Sequence, residues 1–88
     1  MDGEAVFDGI MNLVMPASKR AVGDADASAE LIEALATGLG RAIARVSDGD
    51  RAVIERLLIG AEAHMTREAV DMAEFVRAMK MLPRQGQQ

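Results

Sequence analysis

The chain's one imidazole lies in the stretch GAEAHMTREAVD, residues 60–71, with carboxylates four and seven residues beyond it. On an uninterrupted α-helix His64, Glu68 and Asp71 fall within about 60° of one another. An imidazole beside two carboxylates is the nitrogen-and-oxygen donor set that suits a divalent transition metal. The spacing is neither HExxH nor the ExxH of di-iron bundles, so the three are metal candidates of low specificity. His64 also falls about 20° from Leu57 on the helical wheel, on the apolar side. The simpler expectation is a structural histidine at the edge of the core, with no metal and no cofactor.

Other chemistry finds no support. Ser18, Ser28 and Ser47 sit in stretches that read as loops or helix caps, where serine is ordinary. One histidine without a Gly-rich elbow assembles no catalytic triad. The sequence GLGRA lies inside a helical pattern, with no strand before it and no Lys-Ser/Thr after it, so it is no phosphate loop. An enzyme is not expected.

The elements that must carry these residues are helical. Residues 3–15, GEAVFDGIMNLVM, place Val6, Phe7, Ile10, Met11, Leu13 and Val14 at intervals of three and four, the mark of an amphipathic helix. Asp2 is placed to cap it and Pro16 to stop it. Residues 16–27, PASKRAVGDADA, hold no sustained period and read as a connector. Residues 28–46 form the clearest element, with Leu31, Ile32, Leu35, Leu39, Ala42, Ile43 and Val46 within an arc of about 120°. Asp24, Asp26 or Ser28 is available as its cap. Gly38 borders that arc and is small enough for a close helix–helix approach; Gly40, Ala36 and Ala44 line the far side, where ordinary Ala/Gly usage is the simpler reading. In VSDGDRAVIERLL, Ser47 and Asp50 resemble a capping box, with the next helix starting near Asp48.

Residues 49–82 keep an apolar stripe of Ile54, Leu58, Ala61, Met65, Ala69, Met72, Val76 and Met79, whose mean spacing of about 3.6 permits one straight helix. That rod would be about 50 Å long, against about 28 Å for the preceding element. So small a domain cannot cover such a rod, and an unbroken helix would require a partner chain. The favoured expectation is instead a break near residues 63–66. Thr66 there is an acceptable N-cap, Glu68 sits in the first turn, and Met65 and Val70 match a hydrophobic staple. The tail at 83–88, PRQGQQ, reads as frayed.

Composition narrows the function. The 88 residues amount to one small helical domain over 1–88. Half are hydrophobic, yet Phe7 and Phe75 are the only aromatics, and there are seven methionines. Methionine packs adaptably and suits surfaces that accommodate partners. A formal net charge of −4 argues against a general binder of nucleic acid or anionic membrane. Without cysteine there is no disulfide framework. The acidic start MDGEAVFDG is unlike a signal peptide, and no apolar run approaches the roughly 20 residues that span a bilayer. A cytoplasmic protein is expected.

Two helices joined by a short turn, with Arg41, Arg45, Arg51 and Arg56 nearby, suggest a helix-turn-helix regulator of DNA. Asp48, Asp50 and Glu55 interleave with those arginines, so no basic patch forms in sequence. The remaining signal is apolar residues off the stripe, with Ile59, Val70 and Met81 lying away from it. A helix apolar over so wide an arc is buried on more than one side. The resulting expectation is an all-α, up-down bundle of three or four helices, completed by dimerisation. Its role is that of a small non-enzymatic interaction or regulatory protein, binding itself or a larger protein through Ile59, Val70, Phe75, Met79, Met81 and Leu82. A DNA-associated regulator and a metal-binding bundle using His64 are the alternatives.

Overall fold

The computed structural model describes residues 2–82. Three helices follow in order, α1 (Gly3–Ala21), α2 (Ala25–Val46) and α3 (Arg51–Met81), so the fold is all-α. The chain divides into two units whose boundary lies between Ala42 and Ile43, within α2.

In the first unit, the extended Asp2 starts α1: its Oδ1 accepts the N–H groups of Glu4 and Ala5 at 3.0 and 3.2 Å. Two of the donors that every helix start leaves unpaired are thereby satisfied. Pro16 does not stop the helix. It lies inside α1, which continues to Ala21, so the first half of the expected 16–27 connector is helical. A proline in a helix interior removes one backbone bond at a cost of about 3 kcal/mol. Packing offsets this cost: Met11, Val14, Ala17 and Ser18 are half-buried and Ala21 is buried, a row that straddles the proline at helical spacing. Lys19 and Arg20 close α1 with the charge that its carbonyl end favours.

The true connector is three residues, 22–24. Gly23 has φ +82°, a left-handed value that glycine adopts without steric cost. Asp24 then turns the chain into α2. Its N–H donates to the Ala21 carbonyl at 2.9 Å, and its Oδ1 accepts the Ala27 N–H at 3.0 Å. Of the three candidate caps it is Asp24 that caps α2. Ser28 instead bonds across the joint, its Oγ donating to the Ala21 carbonyl at 3.0 Å. Ala27, Ser28 and Leu31 are half-buried beside it in sequence.

The second unit begins with the last turn of α2. Ser47 is buried and donates its Oγ to the Ala44 carbonyl at 3.0 Å, while the N–H of Gly49 reaches the same carbonyl at 3.1 Å. Asp48 and Gly49 both take positive φ, 53° and +75°. The capping box expected at Ser47 is therefore not formed, because that hydroxyl is committed to α2. Asp50 caps α3, its Oδ1 accepting the Val53 N–H at 3.2 Å.

α3 is unbroken over 31 residues, about 46 Å of helix. The expected break at 63–66 is absent. Thr66 does not cap: its hydroxyl donates back to the Glu62 carbonyl at 2.9 Å, one turn earlier in the same helix. Threonine satisfied in this way fits a helix interior, and no proline stands nearby to remove a backbone bond. The tail expected to fray, 83–88, lies outside the described residues.

Burial is sparse. Among the described residues only Ala21, Ile43 and Ser47 are buried. Of the arc expected to form the core face of α2, Ile43 is buried and Leu31 half-buried, whereas Ile32, Leu35, Leu39, Ala42 and Val46 are exposed. A Cβ built on Gly38 or Gly40 meets nothing within 4 Å, so neither glycine marks a close helix approach.

Candidate interaction surface

The surface is built on α3, which has no buried residue. Its wheel gathers Ile54, Leu57, Leu58, Ala61, Met65, Met72, Phe75, Val76 and Met79 into an arc of about 100°, with Leu82 just beyond the helix in the same row. Ile54 and Ala61 are half-buried. Leu57, Leu58, Met65, Met72, Phe75, Val76, Met79 and Leu82 are exposed, Phe75 by 58%. From Met65 onward every large apolar side chain of the helix is exposed.

The six residues expected to bind a partner are all exposed, but they do not form one patch. Phe75, Met79 and Leu82 belong to the arc. Ile59, Val70 and Met81 fall on the opposite side of the helix, more than about 100° away from Phe75. Met81 is the barest of them, 84% exposed. Leu58, Met65, Met72 and Val76 of the apolar stripe, and Leu57 beside it, are exposed as well. The signal that finds them is length, since an unbroken rod of this size outruns the helices available to cover it. α1 shows the same property, with Val6, Phe7, Ile10 and Leu13 exposed.

Glu68 is the one ionisable residue well inside the arc, between Phe75 and Met79 on the wheel. His64 stands at its edge. The His64 Nε2 and Glu68 Oε1 lie 3.9 Å apart, and both side chains are 65% exposed. His64 is therefore a surface residue, not one at a core edge. At that distance and exposure the pair contributes little to stability. Asp71 does not join them: the described residues contain no group of three His, Asp or Glu side chains placed to hold a metal ion.

The four arginines proposed for DNA are all exposed. Arg41 lies in the first unit and Arg45, Arg51 and Arg56 in the second. Arg51 Nε approaches Glu55 Oε1 to 3.9 Å, and Arg41 shares a shallow depression on α2 with Glu30, Glu33, Ala34, Thr37 and Gly38. A carboxylate thus stands beside Arg51, and the depression that Arg41 lines is of mixed charge. A second shallow concavity lies at the far end of α3, lined by Phe75, Val76, Met79, Lys80 and Leu82. No helix among the described residues is long and apolar enough to cross a membrane.

No protein-family model matches the chain, and no curated protein or solved structure matches it.

Proposed function

We propose that this chain is a small, non-enzymatic interaction protein of the cytoplasm, regulatory in character, whose exposed helix faces are covered by another protein chain. The observation that carries this reading is α3, whose 31 residues include none that is buried although its arc holds leucine, methionine, valine and phenylalanine. Each such side chain taken from water contributes about 1.5–3 kcal/mol when fully covered. A soluble monomer rarely leaves so long a contiguous strip bare, and strips of this kind mark sites of protein association. The methionines suit docking, since a flexible thioether chain adapts to the shape it meets. Helix-on-helix packing is the mode such a surface serves, with apolar side chains one turn apart as anchors.

Oxidative footprinting at native abundance in cells tests this reading. Met65, Met72 and Met79 are expected to oxidise several-fold more slowly than in the urea-unfolded chain. Equal rates would mean that nothing covers the arc, and the reading would fail.

A further inference from the structure

We infer that the outer part of α3, residues 62–81, opens and closes as a helix independently of the inner part. This opening is a property of the chain alone and goes beyond the interaction reading above. On that reading, covering the apolar arc also completes the helix, so docking and ordering are one event. Three observations carry the opening: where α3 has cover, how its outer turns are composed, and how its two ends are fastened.

Cover is confined to the inner end. Ile43 and Ser47, in the joint that leads into α3, are buried, and Val53, Ile54 and Ala61 are half-buried. Beyond Ala61 the described residues hold one half-buried side chain, Ala73, and a single methyl offers little area. No large apolar side chain in that part is less than 46% exposed. In proteins most helical stability comes from packing an amphipathic face. Residues 62–81 keep their helix without that contribution, by propagation from the covered part. A propagation step gains or loses little per residue, even for good helix formers.

Composition does not compensate. Alanine, methionine, glutamate and arginine favour the helix, but His64, Thr66, Val70, Asp71 and Val76 are weak formers. Glu68, Asp71 and Glu74 follow at intervals of three, which sets like charges side by side on the helix surface. The ion pair that the described residues form there, His64 Nε2 to Glu68 Oε1 at 3.9 Å, is exposed and contributes little. The ends differ as well. Asp50 fastens the start, its carboxylate accepting the Val53 N–H. The far end closes, among the described residues, on one bond of 3.3 Å from the Leu82 N–H to the Met79 carbonyl. Gly60, the weakest helix former short of proline, marks the seam: a Cβ there meets nothing within 4 Å, so no packing contact requires it. An opening that starts at the far end therefore travels inward with little resistance until it reaches Ala61.

Amide hydrogen exchange on the purified full chain tests this, read residue by residue at a series of urea concentrations below the unfolding midpoint. Amides of 66–81 are expected to be slowed by no more than about a hundredfold, with little dependence on urea, as small local openings require. Amides of 55–61 should be slowed at least about tenfold more and lose protection steeply with urea, as larger unfolding requires. Thr66→Ala combined with Val70→Ala raises helix propensity at two positions off the arc, and should slow exchange across 66–81 several-fold. Faster exchange in that variant would show Val70 held by packing and would overturn the inference. Equal protection in both parts of α3, with the same urea dependence, would overturn it too; methionines shielded in cells would then still support the partner. Weak protection of 66–81 together with unshielded methionines would support the opening and remove the partner.

Discussion

The two joints between helices and the flank of α3 use similar residues to opposite effect. At the joints, a few side chains and aspartates close the structure on itself: Ala21, Ile43 and Ser47, the buried ones among the described residues, all lie within a turn of a helix end. Asp24 and Asp50 accept backbone N–H groups, and Ser28 and Ser47 return bonds to carbonyls. The flank of α3 has an intact backbone ladder and only partial cover for its side chains. Backbone polar groups are satisfied within a few residues by helix and cap, so a joint completes itself locally. Apolar side chains need a second surface, and α3 has more of them than the chain covers. A protein can therefore be locally finished while its hydrophobic face stays open.

Breaking the flank should have the largest effect. Phe75→Glu places a charge on the apolar strip and should weaken association by about thirtyfold or more, as expected of an aromatic anchor; faster oxidation of Met72 and Met79 in cells reads this directly. Unfolding of the dissociated chain should hardly change, since Phe75 is exposed there. Next in size is Pro16→Ala. Restoring the backbone donor inside α1 should raise stability to urea by up to about 3 kcal/mol. A loss instead would mean that the proline shapes the half-buried row around it.

Two smaller substitutions sharpen the contrast between closed joints and open faces. Gly40→Ala adds a methyl into open space on α2 and should stabilise the helix by about 1 kcal/mol. Weakened association on that change would place a partner's backbone against this face. Asp50→Ala removes the cap of α3 and should cost about 1 kcal/mol in chemical denaturation. The smallest effect is expected from His64→Ala. Its contact with Glu68 is exposed, so stability should move by less than about 0.5 kcal/mol, and zinc titration should leave the variant and the wild type alike.

Much of the fold was legible in the residues because helices announce themselves locally. The amphipathic period placed all three, Asp2 was a readable cap, and the turn around Asp48 and Gly49 stood out between two apolar runs. The extents were less readable. Pro16 and Thr66 carry real local preferences against continuation, yet α1 and α3 pass through both. At Pro16 a packed row outweighs the missing bond; at Thr66 the hydroxyl bonds to its own helix. Ser47 looked like a cap for the following helix and serves the preceding one. The surface was half legible. Ile59, Val70 and Met81 stood out as residues off the stripe, but the stripe itself is also exposed except at Ile54 and Ala61, and no periodicity shows whether a stripe is covered.

Sequence alone determined which residues share a helix face, how the charges divide along α3, and which side chains are available to cap, because these follow from the fixed geometry of the backbone. Where each helix ends and which faces find cover were decided only in three dimensions. A helix stops or continues according to competing contacts of about 1–3 kcal/mol, and burial is a property of two surfaces, only one of which is written in any single segment.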